Sequence, residues 1–297
     1  MADQRPAVEV FAPAKINLTL HVTGQRADGY HLIDSLVVFA DVGDRLRIAP
    51  GDAFLMTVGG PEANAVPRGE DNLILQVARL FGGLEGTGFD LIKNLPVSSG
   101  IGGGSADAAA TYRGLSAITE GLDRSAELLA LGADIPMCLH SVAARVSGIG
   151  EKVDSLPELP PLHAVLANPR RAVLTPSVFK ALVQKSHPPM PKTLPTFKNA
   201  QTLVAWLAEQ RNDLEGPAMS LEPSIAEVKT VLASQQNCLL TRMSGSGATC
   251  FGVFPDQQSA ERAALAMAQT HPDWWVKNAR LGSQSARARP QLIRSTT

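Results

Sequence analysis

Four glycines in the five positions Gly100–Gly104 restrict the folding of this chain more than any other feature of its sequence. The apolar segment FDLIKNLPV before them predicts a strand, and the alanine-rich segment SADAAATYRGLSAI after them predicts a helix. Backbone amides without a neighbouring Cβ can crowd around an anion, and a helix N-terminus adds unpaired N–H groups and the positive end of its dipole. The run therefore predicts a phosphate-binding loop.

The candidate contacts of this loop are Pro96, Val97, Ser98, Ser99, Gly100, Ile101, Gly102, Gly103, Gly104, Ser105 and Ala106. Two better-known phosphate loops are excluded at Ser105. The P-loop needs a lysine after its last glycine, and the dinucleotide pattern GxGxxG needs a glycine in its sixth position. A plain tight turn remains the structural alternative. The serine hydroxyls could donate to phosphate oxygens or hold magnesium, and Asp107 could be only a helix-start residue.

Composition excludes several classes of function. The chain has 297 residues, 44% of them apolar, a net charge of −1 and only 5% aromatics. Its dispersed basic residues and few aromatics argue against a nucleic-acid partner. No apolar stretch is long enough to span a membrane, and no apolar signal core follows the N-terminus. Three distant cysteines favour neither disulfides nor a zinc site, so we expect a reduced, cytoplasmic protein. Nothing in the sequence indicates an oligomeric state.

Strands and helices alternate without a regular βαβ rhythm, which predicts an α+β fold in two domains. The proline-rich segment SLPELPP, at positions 155–161, marks a boundary. We therefore expect domains at 1–160 and 161–284. The polar segment 285–297 is expected to be a disordered tail.

Three segments, in order along the chain, resemble the motifs of the GHMP kinases, the group of galactokinase, homoserine kinase and mevalonate kinase. They are APAKINLTLHVTGQRADGYH, PVSSGIGGGSADAA and RMSGSGATCFGVF. The resemblance implies an N-terminal domain like the second domain of ribosomal protein S5 and a C-terminal ferredoxin-like α/β sandwich. ATP as co-substrate, with Mg²⁺, would meet the acceptor in the cleft between the domains. The protein ligands of the metal are not implied.

Within this family, the DGYH and LGADIP segments resemble those of members that phosphorylate the tertiary 2-hydroxyl of diphosphocytidyl methylerythritol. The resemblance implies that Asp134 is the catalytic base and that Lys15 pairs with it. An adjacent ammonium stabilises a carboxylate and a developing alkoxide. The alternatives are a solvated Lys15 and an Asp134 that only forms a turn before Pro136.

The resemblance also implies the substrate contacts. Tyr30 and His31 would receive the cytosine ring, with Phe179 as the opposite wall and Thr175 nearby, and Asn17 would orient the erythritol end. The set of candidates is completed by Gly245, Ser246 and Gly247. Val37 is a departure, because some relatives carry an aromatic residue at this position, and it predicts weaker stacking on the cytosine.

Three rival functions remain open. The chain could be a GHMP kinase for another alcohol, such as homoserine or a mevalonate derivative, although the DGYH segment argues against this. It could be a catalytically silent nucleotide-binding homologue, which the presence of Lys15 and Asp134 disfavours. A Rossmann dehydrogenase is disfavoured by Ser105 and by the missing βαβ rhythm.

Overall fold

The computed structural model describes residues 6–51, 55–82, 86–119 and 123–293. In the first half of this part the strands are β1 (Ala7–Asn17), β2 (His21–Gln25), β3 (His31–Pro50), β4 (Leu55–Gly59), β5 (Thr87–Ile92), β6 (Ala144–Gly148) and β7 (Lys152–Ser155). The helices of the same half are α1 (Leu73–Leu80), α2 (Gly103–Ile118), α3 (Leu128–Leu131) and α4 (Ile135–His140).

The second half of the described chain is richer in helix. Its strands are β8 (Leu162–Asn168), β9 (Leu240–Met243), β10 (Cys250–Phe254), β11 (Trp275–Gly282) and β12 (Gln291–Ile293). Its helices are α5 (Thr175–Lys180), α6 (Ala200–Ala208), α7 (Glu215–Leu221), α8 (Ser224–Ser234) and α9 (Gln257–Thr270). The predicted α+β class is confirmed.

One sheet joins the two halves, in the order β12-β1-β3-β11-β8-β10-β9. The long strand β3 is its centre, because β2, β5 and β6 also pair with it. The halves meet where Leu281 of β11 pairs with Ala40 of β3. The boundary predicted at residue 160 lies between β7 and β8, so β11, in the second half, crosses back to the first and keeps the sheet continuous.

Helix α2 packs against β1 and β3 through a buried face that is rich in small residues. Its buried residues include Ala106, Ala108, Ala109 and Ala110. A Cβ at Gly114 would lie 2.7 Å from Cδ1 of Ile48, so a larger residue where the helix crosses β3 would require the Ile48 side chain to move. This core fixes the N-terminus of α2, and with it the glycine run, relative to β1 and β3.

The sequence SAELLALGA is typical of a short helix, and it forms a 3-10 turn at Ser125–Glu127 that continues directly into the single turn of α3. Gly132 ends α3 and stops any longer helix. No helix in the described part of the chain is long and apolar enough to cross a membrane.

The expectation of a disordered tail is wrong for residues 285–293. Strand β12 pairs with the beginning of β1, Ala7 lying opposite Ile293. The guanidinium of Arg287 lies 4.5 Å from the ring centre of Phe11 and donates to the carbonyl of Asp41 at 2.7 Å. Strand pairing and a cation–π contact thus order a segment whose polar composition conceals both. Residues 294–297 lie outside the described part.

Candidate active site

The glycine run forms a tight loop between β5 and α2. Gly100 and Gly102 have φ values of +75° and +63°, and Gly102 caps the N-terminus of α2 in a left-handed conformation. A Cβ at Gly100 would lie 2.5 Å from the carbonyl oxygen of Ser244 and 2.7 Å from the amide nitrogen of Gly247. Glycine is therefore required here both by backbone conformation and by contact with a second loop.

That second loop, Ser244–Gly247, joins the glycine run to β1. The Ser244 hydroxyl donates to the Gly100 carbonyl and accepts from the Asn17 amide, both at 3.0 Å. The Thr249 amide donates to the Ser99 carbonyl at 3.1 Å. The three sequence motifs are therefore in direct contact with one another, largely through their backbones.

Lys15 links β1 to the glycine run and to α4. Its amide donates to the Ile101 carbonyl at 2.9 Å, and its side chain runs along Gly102. Its ammonium lies 2.8 Å from Oδ2 of Asp134. The register of β1 against β3 shifts between Pro13 and Lys15, an irregularity of the kind that re-aims side chains beside active sites.

Asp134 precedes α4, with Pro136 in the first turn of that helix. Its side chain makes no capping hydrogen bond to the helix, so the carboxylate is available to Lys15 and to the cleft. The side chain of Lys15 is only 7% exposed and that of Asp134 is 37% exposed. The alternative of a solvated Lys15 is therefore wrong, and the carboxylate of the pair is the member that a ligand can reach.

Asn17 has a buried side-chain atom that nothing in the described chain satisfies. Its Nδ2 donates to the Ser35 hydroxyl at 2.8 Å, whereas Oδ1 has no hydrogen-bond partner. Oδ1 lies 3.3 Å from the point where a Cβ would stand on Gly245. A buried oxygen without a partner costs about 1–3 kcal/mol, so this atom is suited to a ligand group that donates to it.

The residues predicted to hold the cytosine form a second group. His31 stacks on Phe179, with ring centres 4.9 Å apart and planes 22° from parallel. His31 Nε2 is buried without a partner, and Tyr30 is 61% exposed at the cleft edge. Burial, with the nearby Lys185, lowers the pKa of His31. The ring is therefore favoured in its neutral form, in which one nitrogen can donate and the other accept.

Thr175 and Ser246 contact each other through their side chains. Their hydroxyl oxygens are 2.8 Å apart, so the start of α5 touches the second glycine loop. Gly247 is turned away from them, and a Cβ there would meet the Met243 sulfur at 2.7 Å. The structure thus brings Thr175 and Ser246 together and places Gly247 as a packing position.

Several candidates do not present their side chains to the cleft. Pro96, Ile101 and Ala106 are buried behind the loop, so only their backbone could reach a ligand. Val37 is wholly buried in β3 and packs in the core of the first half. Because its side chain faces the core, Val37 does not contact the cleft, and weaker stacking on a cytosine stays a prediction.

A buried charge cluster, which the sequence did not predict, lies beside the loop. The ammonium of Lys93 lies 2.6 Å from Asp44 and 2.5 Å from Asp107, and all three side chains are almost inaccessible. Burial raises the pKa of Asp107, whose Oδ1 lacks a partner. Asp107 is therefore more than a helix-start residue. The sequence did not indicate that Lys93 is buried, because a lysine in a strand segment is usually solvated.

These elements surround a cleft of about 1150 Å³ between the two halves. One wall carries residues from the segment that leads into α1 and from the start of that helix, which the sequence motifs did not indicate. They are Val66, Pro67, Asp71, Asn72 and Leu73. Asn72 caps α1 by accepting from the Ile74 amide at 2.8 Å, which fixes this wall. Lys15 and Asp134 both line this cleft.

Two family models match the chain. The model of the GHMP kinases N terminal domain matches residues 72–149, and that of the GHMP kinases C terminal matches residues 193–273. The fold is shared with homoserine kinase from Cytophaga hutchinsonii, at a TM-score of 0.65 and 19% identity over 99% of each chain. The fold and the site thus define a small-molecule kinase of the GHMP type.

Relatives of higher identity narrow this class. The chain is 57% identical to a 4-diphosphocytidyl-2-C-methyl-D-erythritol kinase from Roseobacter denitrificans, over 96% of this chain and 97% of the relative. It is 54% identical to one from Cereibacter sphaeroides, over 92% and 99%. A crystal structure of such a kinase matches with a TM-score of 0.76 and 32% identity, over 93% of this chain and 99% of that one. The chain belongs to the GHMP kinase family, in the branch of the 4-diphosphocytidyl-2-C-methyl-D-erythritol kinases.

Proposed function

We propose that this chain transfers the γ-phosphate of ATP to the 2-hydroxyl of 4-diphosphocytidyl-2-C-methyl-D-erythritol, giving the 2-phosphate and ADP in non-mevalonate isoprenoid biosynthesis. The observation that carries the proposal is the Lys15–Asp134 pair beside the glycine run. Relatives of 54–57% identity bear the name of this kinase.

The glycine run is the phosphate grip. Its backbone amides and the N-terminus of α2 supply donors and a positive dipole end without a side-chain charge. Ser98 and Ser105, on the cleft wall, add hydroxyl donors. The apolar wall of Val66, Pro67 and Leu73 continues from this loop and suits the purine ring of ATP. Phosphoryl transfer asks the protein mainly for positioning and charge stabilisation, which these groups provide.

Asp134 accepts the proton of the acceptor hydroxyl as the phosphoryl group arrives. Lys15 donates to Asp134 Oδ2, which leaves Oδ1 free to face the acceptor. The ammonium also offsets negative charge that develops on the attacking oxygen. Because Lys15 is held through its own amide by Ile101, the pair and the phosphate grip share one rigid frame.

The acceptor lies along the line from Asn17 to Tyr30. Asn17 Oδ1 accepts from a hydroxyl of the erythritol end. His31 Nε2 hydrogen-bonds to the cytosine edge, while Phe179 and Tyr30 flank the ring. Thr175, Ser246 and the backbone at Gly245 contact the middle of the molecule. Two buried polar atoms without partners, Asn17 Oδ1 and His31 Nε2, support these roles.

Magnesium accompanies the ATP. Among the described residues no cluster of three or more His, Cys, Asp or Glu side chains is placed to hold a metal ion. Mg²⁺ in kinases keeps mostly phosphate and water oxygens, so a single hydroxyl such as that of Ser105 fits this requirement. The ion would neutralise the β- and γ-phosphates.

We also propose a domain boundary near residue 160 and a cytoplasmic location. Cys138, Cys238 and Cys250 are all unpaired, as expected in a reducing compartment. The rival of a kinase for another alcohol remains the principal alternative. A silent homologue is disfavoured by the intact Lys15–Asp134 pair.

A coupled ADP-release assay tests the proposed function. Diphosphocytidyl methylerythritol, homoserine and mevalonate are offered in turn with ATP, with and without Mg²⁺. We expect ADP release with the first acceptor only, and dependence on Mg²⁺. Comparable turnover with homoserine or mevalonate would replace the proposed acceptor, and ADP release with none of the three would favour a silent homologue.

A further inference from the structure

Arg113 is a charged residue in the middle of α2 whose guanidinium binds only backbone carbonyls. One terminal nitrogen donates to the carbonyls of Cys138 and Leu139 at 2.7 and 3.2 Å. The other donates to the carbonyl of Phe11 at 3.0 Å. No ion pair of Arg113 is found among the described residues, although salt bridges to carboxylates are frequent elsewhere in the chain.

The three elements that meet at Arg113 are those that carry the proposed chemistry. Helix α2 begins at the phosphate grip, and Cys138 and Leu139 end the helix that Asp134 begins. Phe11 lies on β1, four positions before Lys15. One side chain therefore ties together the phosphate grip, the base and the lysine that pairs with the base.

The contacts are strong enough to fix these elements. The last carbonyls of a helix have no partner within it, and a cation at that end also meets the negative end of the dipole. Hydrogen bonds from a charged donor are roughly twice as strong as neutral ones. Burial lowers the pKa of Arg113 to about 10, which leaves it charged at neutral pH. Because α4 has only six residues, a shift at its end moves Asp134, about one turn away.

We propose that Arg113 is a positioning residue for phosphoryl transfer, which sets Asp134 against Lys15 and the phosphate grip. The proposal rests on the proposed function of that pair. Lysine cannot replace it, because one ammonium lacks the planar fork that reaches carbonyls of two different elements. A purely structural role would lower stability without singling out the chemical step.

Arg113→Lys is the test variant, and Leu115→Ala is its matched control. Leu115 is fully buried on the same helix, so its truncation destabilises the core around α2 while the hydrogen bonds from Arg113 to the α4 carbonyls are kept. At a temperature where both variants are folded, we expect Arg113→Lys to lower kcat by about tenfold to a hundredfold, with the KM for ATP within about twofold. Leu115→Ala should keep kcat within about threefold of the wild type. Equal losses of kcat in the two variants would overturn the positioning role.

A double-mutant cycle sharpens this test. If Arg113 acts through Asp134, then Asp134→Asn should cost at least tenfold less in the Arg113→Lys background than in the wild type. Additive costs would show that Arg113 acts independently of the base.

A crystal structure of Arg113→Lys separates this proposal from the proposed function. We expect the Lys15–Asp134 hydrogen bond to be lost or lengthened beyond 3.5 Å, whichever acceptor the enzyme uses. A pair unchanged at 2.8 Å would overturn the inference even if the kinase activity is established. A displaced pair in a protein without kinase activity would overturn the proposed function and leave the geometry of Arg113 intact.

Discussion

The ammonium of Lys15 lies 2.8 Å from the carboxylate of Asp134, although 119 positions separate the two residues in the chain. The lysine is buried beside the glycine run, whereas the carboxylate is open to the cleft. An accessible carboxylate paired with a buried ammonium is the arrangement expected for a base that removes a proton next to a bound polyphosphate.

The contact between the two glycine loops predicts the effect of Gly100→Ala. The new Cβ would overlap the Ser244 carbonyl, and the backbone there has a positive φ. We expect ATP affinity to fall about tenfold or more, since a loss of only about 1.4 kcal/mol of binding free energy has that effect. Isothermal titration calorimetry with a non-hydrolysable ATP analogue measures this affinity.

Gly82→Ala is the control for backbone strain alone. Gly82 has a φ of +87°, and a Cβ there meets nothing within 4 Å. This variant should lose about 1–2 kcal/mol of stability but keep its ATP affinity. Equal affinities for ATP in the two variants would contradict the role given to the Gly100 loop.

The stacked pair of His31 and Phe179 predicts a selective effect on the acceptor. His31→Ala removes the ring and its partnerless Nε2. The KM for the cytidine-bearing substrate should rise roughly 10- to 100-fold, the equivalent of about 1.4–2.8 kcal/mol. The KM for ATP should stay within about twofold.

His271 provides a matched control, because it also stacks on an aromatic ring, that of Trp274, with centres 3.9 Å apart. It lies after α9 and outside the cleft-lining residues described above. His271→Ala should leave both KM values unchanged. An equal rise of the two KM values in His31→Ala would contradict a cytosine contact.

His21 predicts how stability depends on pH. Burial, with the nearby Arg211, lowers the pKa of His21 from 6.5. Because the unfolded chain binds the proton more readily, this contribution to stability is complete above pH 6.5 and is lost as the pH falls through the folded-state pKa. His21→Asn, whose amide can still donate to the Pro188 carbonyl, removes the titration.

The free energy of unfolding, measured by urea denaturation between pH 5 and 7.5, tests this prediction. The difference between the wild type and His21→Asn should increase with pH. A difference in the free energy of unfolding that stays constant with pH would show that His21 has the same pKa in the folded and unfolded chains.

The buried cluster around Lys93 predicts a large loss of stability in Lys93→Met. Burial alone would lower its pKa, but Asp107 and Asp44 raise the pKa of Lys93 to about 12. Without the ammonium two carboxylates are left buried, which typically costs about 3–5 kcal/mol.

Arg79→Met is the matched control, since the pair of Arg79 with Glu70 is exposed. The free energy of unfolding of this variant should fall by less than about 1 kcal/mol. Thermal or urea denaturation measures both variants, and similar losses in the two would contradict a structural role for the cluster.

The class of the fold and the positions of the two glycine loops could be predicted from the sequence. Glycines next to a strand and a helix have few uses, so the loop at Gly100 and its partner at Gly245 could be located from local pattern alone. Lys15 and Asp134 were assigned through a family resemblance, because nothing in either segment indicates that they meet. Their pairing depends on the packing of α2 between β1 and α4, a long-range property.

What the sequence could not predict depends on contacts between distant segments. Lys93 and Arg113 look like ordinary charged residues, and only the folded chain places one between two carboxylates and the other against three carbonyls. The order of residues 285–293 was missed for the same reason, since a polar composition does not reveal an available strand edge on β1.

Phosphorus NMR of the reaction product, compared between the wild type and Asp134→Asn, tests the central claim most directly. We expect the wild type to convert diphosphocytidyl methylerythritol and ATP to ADP and a new phosphomonoester on the 2-hydroxyl. Asp134→Asn should form it about 10²–10⁴ times more slowly while binding ATP with wild-type affinity. Asp273→Asn, which alters an exposed carboxylate, serves as the control. Formation of the phosphomonoester by Asp134→Asn at the wild-type rate would contradict the account.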